Sequence, residues 1–565
     1  MKHLMKRIFC IAAALLFAGS LPDFRTVMHG AAFAASVQEE ADQPADNHCG
    51  ENLTWSLSED GELTISGTGE MDDYRSDILT SVPWEDQRER ITRITIGDQV
   101  TSIGKYAFMG CTALRNIKIP GNVREINRGA FYQCTSLLTA NIAEGVETIS
   151  ASAFRDCTAL RAVGIPESVT LIGWTAFGNT PWLASRQKES PLVIINNMLI
   201  DGTTAEGVVR VPDGVTCIGF SAFKANCDIT SVYIPNSVTE IYSNAFENCP
   251  YLETVRLPQH IQAIYPYAFA ECSDLKKISI PDEVEIIADH AFLRCIELAE
   301  VKFPKSLKTI EESAFENCES LEEAEIPDSV EELYQRAFYE CIRLSRVHLP
   351  DSLTYIEEQV FRETAWLDHT LLSTPMLIQN GLLIKGGSST CYEEVTVPDG
   401  VHTIVKEAFM NCDNMTVITL PESVTEIQEC AFANCGVLSE IRIMNPECRI
   451  EGRDSTVYNS YTTYPDRTEL YYYGAICSYW ESTAHTFADT YNYQFISLDL
   501  PPGDCSGDHM LSIADAVLLA RFAAEDATLT AAQISGILAC NPDTDRDGGI
   551  TISDVIALLK GLAKS

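Results

Sequence analysis

The sequence predicts a β-rich solenoid of 23-residue repeats, with a parallel β-sheet on its concave face. We expect an N-terminal β module, a C-terminal cap and a small all-α domain beside it. Three observations lead to this fold class. A phenylalanine recurs every 23 residues, a motif with calcium-ligand spacing lies near the C-terminus, and a composition of 46% hydrophobic and 21% charged residues is that of a folded chain.

The charge balance limits the kinds of partner. The 565-residue chain has 40 basic and 80 acidic side chains, for a net charge of −40. Because binding to nucleic acid needs a basic surface, we expect no nucleic-acid partner. An acidic surface is better suited to binding cations or to solvation outside the cell.

Residues 1–35 have the order of a secretory signal peptide. Lys2, Lys6 and Arg7 precede an apolar run at 8–21, and small residues follow at 31–35. The apolar run is shorter than the ~20 residues that cross a bilayer, which disfavours a membrane anchor. The pattern predicts a secreted protein without a membrane span, located outside the cell, at its surface or on a scaffold. A polar linker is expected at 36–48.

The repeat accounts for most of the chain. In one unit Leu114, Ile117 and Ile119 have strand-like spacing, and Pro120 ends the strand because it cannot donate a ladder hydrogen bond. One unit cannot bury its apolar residues alone, so neighbouring units must stack. A period of 23 lies in the range of leucine-rich-repeat solenoids. The marker phenylalanines are Phe108, Phe131, Phe154, Phe177, Phe223, Phe246, Phe269, Phe292, Phe315, Phe338, Phe361, Phe409 and Phe432.

The full pattern, L-x-x-[IV]-x-[IL]-P-x-x-[VL]-x-x-I-x-x-x-A-F-x-x-C, resembles the BspA-type leucine-rich repeats of bacterial surface proteins. The resemblance implies an N-terminal β module at 49–98, repeats at 99–445 and a cap at 446–498. Two variant units, near 180–215 and 364–401, interrupt the period, and each contains a predicted hairpin. We interpret them as bends of the solenoid in preference to a dedicated ligand pocket.

Two further columns follow from the period. A cysteine lies three residues after the marker phenylalanine in ten repeats. In-register parallel side chains point the same way, which strains a disulfide, so we expect buried thiols.

The outward strand positions are more basic than acidic and predict a partner-binding face, with a merely solvated face as the alternative. Their basic residues are Arg115, Lys118, Arg161, Arg256, Lys276, Lys277, Lys302, Arg346 and Arg442.

Residues 446–498 lose the period and are rich in tyrosine, including Tyr461, Tyr464 and the run at 471–473. One interpretation is a surface on which sugar rings stack. The other is a cap that covers the exposed end of the core, which a solenoid requires. We favour the cap.

Two 12-residue loops near the C-terminus have the ligand spacing of calcium sites. Calcium prefers six to eight oxygen ligands, and loop positions 1, 3, 5, 9 and 12 supply side-chain oxygens while position 7 supplies a carbonyl. Ser506 and His509 depart from the usual residues, so the first site is expected to bind more weakly. The predicted Ca²⁺ ligands are Asp504, Ser506, Asp508, Met510, Ser512 and Asp515 in the first loop, and Asp543, Asp545, Asp547, Gly549, Thr551 and Asp554 in the second.

Each loop precedes an apolar helix, and the prolines at 501–502 exclude a helix entering the first loop. The two loop-helix units resemble a type I dockerin, here residues 499–565. The resemblance implies calcium-dependent folding and docking to a cohesin module of a cellulosome-type scaffold. It also implies which residues contact cohesin, and because the two sets differ chemically, one face is expected to dominate. They are Ile513, Ala514, Ala520 and Arg521 in the first copy, and Ile552, Ser553, Leu559 and Lys560 in the second.

No metalloprotease, serine-hydrolase, P-loop or dinucleotide motif is found, and the assigned segments leave no stretch long enough for a catalytic domain. The sequence therefore predicts a secreted, non-catalytic interaction or adhesion protein. Its repeats would bind an unknown protein or surface ligand, and its dockerin would bind a scaffold. The alternative is a carbohydrate-binding component of a polysaccharide-degrading complex.

Overall fold

The computed structural model describes residues 47–75, 82–387, 393–464, 467–501, 503–508, 510–540, 542 and 550–563. The predicted signal peptide and residues 36–46 lie outside the described residues. The chain divides into two compact units, Met1–Ser306 and Leu307–Ser565, which are taken in turn. Among the helices that the structure describes, none is both long and apolar enough to cross a membrane.

The described part of the first unit is made of short strands, with a 3₁₀ turn at Glu85–Arg90 and the helix α1 (Pro181–Glu189). Its strands are β1 (His48–Gly50), β2 (Leu53–Leu57), β3 (Glu62–Gly67), β4 (Gly69–Glu70), β5 (Arg93–Ile96), β6 (Val100–Ile103), β7 (Asn116–Ile119), β8 (Glu125–Ile126), β9 (Thr139–Ile142), β10 (Thr148–Ile149), β11 (Ala162–Gly164), β12 (Leu171–Ile172), β13 (Val193–Ile195), β14 (Met198–Asp201), β15 (Gly207–Arg210), β16 (Cys217–Ile218), β17 (Ile229–Tyr233), β18 (Glu240–Ile241), β19 (Thr254–Arg256), β20 (Ala263–Ile264), β21 (Lys277–Ser279), β22 (Ile286–Ile287) and β23 (Glu300–Lys302).

Each regular coil contributes a longer strand to one parallel sheet and a two-residue strand to another. β7 pairs with β9 so that Asn116 lies opposite Thr139, one period later in the chain. Likewise β8 pairs with β10, and Ile126 lies opposite Ile149. In β7 the isoleucines are buried and the residues between them are exposed, because successive strand residues face opposite sides of a sheet. The predicted parallel solenoid is thereby confirmed.

The N-terminal strands close the first coil with a different pairing. β1, β2 and β3 are antiparallel, and β3 then pairs in parallel with β5, so the antiparallel strands lead into the repeat sheet. β1 begins at His48, inside the segment predicted to be linker. Trp84 is buried and stacks on Phe108 with ring centroids 5.6 Å apart. The tryptophan therefore covers the first marker phenylalanine.

The second unit continues the same two-strand coils and ends in helices. Its helices are α2 (Ala365–Ser373), α3 (Thr483–Tyr491), α4 (Ile513–Ala523), α5 (Ala531–Ala539) and α6 (Ile552–Leu562), with a 3₁₀ turn at Asp454–Thr456. Its strands are β24 (Thr309–Ile310), β25 (Glu323–Glu325), β26 (Glu332–Leu333), β27 (Arg346–His348), β28 (Tyr355–Ile356), β29 (Met376–Gln379), β30 (Leu382–Gly386), β31 (Glu394–Thr396), β32 (Thr403–Ile404), β33 (Val417–Leu420), β34 (Glu426–Ile427), β35 (Glu440–Ile443), β36 (Arg449–Ile450), β37 (Ser460–Thr463), β38 (Thr468–Tyr471), β39 (Ala475–Ser478) and β40 (Gln494–Ser497).

The marker phenylalanines form stacked columns inside the coils. Phe131 and Phe154, for example, are fully buried with ring centroids 5.1 Å apart and planes 5° from parallel. The backbone beside them is also paired, since the N–H of Phe131 donates to the carbonyl of Ala153 at 2.8 Å. In the first unit the rings of consecutive regular coils thus lie on one another, and the Ala-Phe segment adds a third ladder of hydrogen bonds to those of the two sheets.

The residues two before and two after the marker phenylalanine adopt positive φ, which the sequence pattern did not reveal. In the coil of Phe246 these are Asn244 at 61° and Asn248 at 55°, and in the coil of Phe269 they are Tyr267 and Glu271. Residues other than glycine rarely adopt this conformation. The coil tolerates it because the bracketed Ala-Phe pair packs into the interior and its backbone bonds to the next coil.

The cysteine column consists of buried free thiols in the described residues, as the sequence predicted. Most of these thiols donate to a phenylalanine carbonyl of the preceding coil: Cys134 Sγ donates to that of Phe108, and Cys272 Sγ to that of Phe246, both at 3.1 Å. Burial raises the pKa of Cys295 to about 12. The column therefore fills space and adds hydrogen bonds between neighbouring coils.

The two variant units share one construction, which includes a helix that sequence reasoning missed. Helices α1 and α2 start where a repeat strand is expected, and Trp182 and Trp366 at their starts cover Phe177 and Phe361, with ring centroids 4.6 and 4.9 Å apart. The predicted hairpins follow as β13–β14 and β29–β30.

The phenylalanine column begins again after each hairpin. A Cβ on Gly202 would lie 2.3 Å from the ring of Phe223, and one on Gly386 would lie as close to Phe409. Glycine is therefore required at both positions.

We predict that Phe246→Ala lowers the free energy of unfolding by about 3–5 kcal/mol, because the cavity would lie between two rings at 4.8 and 5.2 Å. Urea unfolding followed by circular dichroism measures the change. The matched control is Tyr251→Ala, an exposed aromatic residue of the same coil, for which we expect about 0.5 kcal/mol or less. Equal effects of the two substitutions would contradict the role of the column.

A second prediction concerns the start of the variant helices. The buried hydroxyl of Thr364 accepts from the N–H of Leu367 at 3.2 Å and donates to the carbonyl of Phe361 at 2.7 Å, and Thr180 bonds in the same way to Leu183 and Phe177. Replacing either threonine by valine keeps the shape but removes both bonds, so we expect a loss of about 1–3 kcal/mol in urea unfolding.

Replacement of the same threonine by serine is the matched control, because it retains the hydroxyl. Recovery of most of the lost stability is expected. A serine variant as unstable as the valine variant would show that packing of the methyl group, and not the hydrogen bonds, holds the helix start.

Candidate functional site

The C-terminal helices form a small core of their own and also pack on the end of the repeats. Helices α4 and α6 lie against each other, and α5 lies against β40. Leu519, Ile537 and Leu558 are buried together in the helical core. Ala539 of α5 is buried in the core cluster of the preceding coils, so no flexible linker separates the helices from the cap in this part of the chain.

Helices α4 and α6 begin with the same capping arrangement, 39 residues apart. Ser512 and Thr551 are the N-caps, and the carboxylates of Asp515 and Asp554, three residues later, accept from the cap backbone N–H groups. Both carboxylates are fully buried. This reciprocal pairing satisfies N–H groups that a helix start leaves without partners, and it holds the last position of each predicted calcium loop in place.

The first loop contains one buried carboxylate oxygen without a hydrogen-bond partner. Asp504 is fully buried; its Oδ1 accepts from Ser506 Oγ and from the N–H of Gly507, whereas its Oδ2 has no partner among the described residues. A buried unpaired carboxylate oxygen is costly unless a cation or donor compensates it. The Oδ2 of Asp504 is therefore the atom at which a cation would fit, whereas both oxygens of Asp515 accept from backbone N–H groups.

The other loop oxygens fit less closely. Asp508 and Met510 are exposed, and Asp508 Oδ1 accepts from the N–H of Met510 at 2.9 Å. Among the residues that the structure describes, no three His, Cys, Asp or Glu side chains gather as metal ligands. In the second loop Asp543, Asp545, Asp547 and Gly549 lie outside the described residues.

The predicted cohesin-contact residues lie at the surface of α4 and α6, with two exceptions. Ile513 and Ile552, the first residues of the helices, are 71% and 61% exposed, and Leu559 is also exposed. Ala514, Ser553 and Lys560 are exposed, whereas Ala520 and Arg521 are half-buried. Most of the predicted residues are therefore accessible.

Arg521 is engaged within its own module. Its Nε donates to Asp526 Oδ2 at 2.7 Å and its guanidinium also donates to Thr528. The bond from Arg521 and the bonds from the hydroxyl and N–H of Thr528 lower the pKa of Asp526 to about 2. The equivalent position in α6 is the exposed Lys560, so the two helices present different cationic side chains to a partner.

The structure adds two residues to the exposed faces. Val517 and Ile556 are exposed and lie four residues after Ile513 and Ile552, on the same side of each helix. Each helix therefore has an apolar strip rather than a single apolar residue. Spacing by four in the sequence was the available signal, but it does not distinguish a residue that faces the core from one that faces solvent.

The longer-strand sheet of the first unit presents a basic and aromatic column. Arg210, Tyr233 and Arg256 are direct neighbours in β15, β17 and β19, and the guanidinium of Arg210 lies 4.2 Å from the centre of the Tyr233 ring. Lys302 lies further along the same sheet in β23. All four side chains are exposed. The column is basic although the chain as a whole is strongly acidic.

Other charges on the strand faces are paired with the next coil. Lys276 Nζ lies 3.0 Å from Glu253, and Arg346 lies 2.7 Å from Glu323. Arg442, expected to point outward, is half-buried and donates to Glu440 of its own strand. These pairs reduce the charge available to a partner.

The second variant unit borders a cavity of about 530 Å³ lined by polar side chains. Within it Lys406 Nζ lies 3.0 Å from Glu358 and 3.8 Å from Glu429. Glu357 and Glu451 accept from backbone N–H groups of neighbouring coils. The charged groups of this cavity are thus held by each other and by the backbone.

The tyrosine-rich segment has both buried and exposed rings. Tyr472 is buried in the core cluster, and Tyr491 and Tyr493 pack against that cluster, as expected for a cap. In contrast Tyr461 and Tyr473 are 59% and 74% exposed, on and beside the β37–β38 hairpin.

Comparison with known proteins identifies the repeats. Residues 86–206, 193–295, 262–381 and 388–462 match the family described as "BspA type Leucine rich repeat region (6 copies)". A search of curated proteins found no match.

The chain is also similar to solved structures of leucine-rich-repeat proteins. One from Bacteroides ovatus ATCC 8483 has 22% identity over 79% of this chain and 98% of that one, with a TM-score of 0.32. A leucine-rich cell surface protein from Faecalibacterium prausnitzii A2-165 has 24% identity over 52% and 95%, with a TM-score of 0.29.

Proposed function

Since the chain belongs to the BspA-type leucine-rich-repeat family, we propose that it is a secreted, non-catalytic interaction or adhesion protein. Its repeats bind a protein or surface partner, and its C-terminal helices attach it to a cohesin module of a scaffold. The observation that carries the attachment is the duplicated loop-helix unit, with matching caps and exposed apolar faces 39 residues apart. Export is supported by the signal-peptide order of residues 1–35.

The exposed strips of α4 and α6 support a docking role. A soluble helix normally buries its apolar face, yet Ile513, Val517, Ile552, Ile556 and Leu559 remain at the surface of a small module. Contiguous exposed apolar side chains mark sites of protein–protein interaction. A cohesin surface would remove these side chains from water.

We propose that the α6 face dominates the contact. Its strip ends in Leu559, where α4 has the half-buried Ala520, and a larger side chain removes more apolar surface from water. Lys560 is exposed beside it, whereas Arg521 is tied to Asp526. A second way of binding cohesin, through α4, would require the ion pair between Arg521 and Asp526 to break.

Two calcium ions would order the loops before these helices. Asp504, Ser506, Asp508 and Ser512, the carbonyl of Met510, and Asp515 would hold the first ion, and the second loop supplies the equivalent set at 543–554. The ion would compensate the unpaired Oδ2 of Asp504. Asp508, now exposed, would turn toward it. Calcium supplies charge neutralisation and loop order, and no chemistry on a substrate.

The full chain is expected to bind an immobilised cohesin in millimolar calcium and not in excess EDTA. Leu559→Glu should weaken binding by about tenfold or more, because it places a charge in the apolar centre of the contact. Ala520→Glu is the matched substitution on α4 and should have a smaller effect. Surface plasmon resonance against a cohesin panel measures both.

Calorimetry with calcium chloride separates the possible failures. Two bound calcium ions without binding to any cohesin would overturn the attachment but leave the calcium loops. No calcium binding would overturn the loops. Equal effects of the two substitutions would overturn the preference for α6.

For the repeats, we propose that the column of Arg210, Tyr233, Arg256 and Lys302 binds an anionic partner. Solenoids use their strand sheet as an extended binding surface, and coils ~4.8 Å apart place these side chains along a line that suits an extended ligand. Basic side chains on an otherwise acidic protein attract an anionic partner locally, whereas the acidic surfaces elsewhere on the chain repel it. Arg and Tyr are also residues enriched in interface centres.

The paired substitution Arg256→Glu with Lys302→Glu should abolish retention on an anionic matrix at low salt. Poly-glutamate and polygalacturonate serve as a protein-like and a carbohydrate probe. Lys305→Glu, an exposed charge reversal outside the strands, is the control and should leave retention nearly unchanged. If the double variant is retained as strongly as the wild type, the column does not bind anions and is a solvated surface only.

A carbohydrate-binding role is the second candidate, and the exposed Tyr461 and Tyr473 favour it. Flat aromatic side chains present apolar faces suited to stacking on sugar rings. Retention of the full chain on insoluble cellulose that is lost on Tyr473→Ala would support this role.

A further inference from the structure

Cys505 and Cys540 bring two thiols together inside the helical module. Their Sγ atoms are 3.4 Å apart, and the side chains are only 2% and 1% exposed. The backbone joins them as well, since the N–H of Gly503 donates to the carbonyl of Cys540 at 2.9 Å. A disulfide needs a sulfur separation of about 2.05 Å, so the two sulfurs together must move by roughly 1.4 Å.

The position of the pair gives it a consequence for the loops. Cys505 is the second residue of the first loop, directly after the buried Asp504. Cys540 is the C-cap of α5, and the second loop begins three residues later at Asp543. A disulfide here would join the start of the first loop to the residues that lead into the second loop.

We propose that Cys505 and Cys540 form a disulfide in the exported chain, which links the two loops and reduces the dependence of the helical module on calcium. The bond itself is independent of the proposed calcium sites, whereas its effect on calcium dependence rests on them.

The chemistry is thiol–disulfide exchange with a small-molecule or protein disulfide. One thiol, as its thiolate, attacks the oxidant and forms a mixed disulfide while a first oxidant thiol leaves. The second protein thiolate then displaces the remaining oxidant thiol. The protein loses two protons and two electrons in total, and the oxidant takes them up to give two thiols. Both thiols are almost fully buried in the folded module, so exchange proceeds while the loop is open, before the pair is buried.

The cysteine column of the repeats differs in this respect. Its thiols, such as Cys134 and Cys272, donate to phenylalanine carbonyls at 3.1 Å and lie on parallel coils in register. The Cys505 and Cys540 side chains come instead from a loop and a helix end that approach each other. A helix so close to the loop is possible because Gly536 has no side chain; a Cβ there would lie 3.2 Å from the carbonyl of Cys505.

The bond is tested on the full chain refolded with glutathione disulfide. After denaturation, alkylation and proteolysis, mass spectrometry should find one linked peptide pair that contains Cys505 and Cys540 and lacks two hydrogens. Peptides of the repeat column should carry the alkylating group. Full alkylation of both Cys505 and Cys540 would overturn the proposal whatever the calcium result.

The consequence is tested by calcium titration of the same chain. The double variant Cys505→Ser with Cys540→Ser should lose about tenfold in calcium affinity, because the open chain must order more of itself on binding. Cys227→Ser, which removes an exposed thiol of the repeats, is the control and should titrate like the wild type. A linked peptide pair with unchanged affinity in the double variant would refute the link to calcium, and an absence of calcium binding in every variant would refute the proposed loops instead.

Discussion

No single coil of this protein can bury its own phenylalanine. A marker ring inside a run of repeats has neighbours at about 5 Å on the preceding and following coils, as Phe246 has in Phe223 and Phe269. The interior therefore exists only between coils, and stability comes from nearest-neighbour contacts. Backbone hydrogen bonds from the Ala-Phe segment and thiol bonds from the cysteine column follow the same spacing. The positive φ angles around each phenylalanine are tolerated because these contacts hold the segment from both sides.

An interior of this kind must be closed wherever the period stops. Trp84 covers the first ring, and Trp182 and Trp366 cover the last ring before each variant unit. At the end of the second unit the cap and α5 complete the closure, with Ala539 inside the repeat core. The helical module is thus part of the end of the array, while the apolar strips of α4 and α6 remain outside. Closure is performed by α5, and the proposed attachment would use the exposed faces of the other two helices.

Local charge and local geometry separate residues that composition treats alike. Forty basic residues are outnumbered two to one by acidic ones, yet Arg210, Arg256 and Lys302 lie on one sheet face. The cysteines divide similarly: those of the column bond to carbonyls, whereas Cys505 and Cys540 face each other. In both cases the environment of the side chain, and not its abundance, decides what it can do.

The sequence by itself determined the repeat: its period, the alternation of buried and exposed strand residues, the phenylalanine column and the buried thiols. These follow from spacings within one unit and its copies, which a single strand or coil imposes locally. Helices α1 and α2, the positive φ positions, the Arg521–Asp526 pair and the outward direction of Val517 and Ile556 were decided by the tertiary structure. So was the meeting of Cys505 with Cys540, 35 residues apart. Each depends on which elements pack against one another, and an apolar or charged residue at helical spacing has the same local pattern whether it faces the core, a neighbour or solvent.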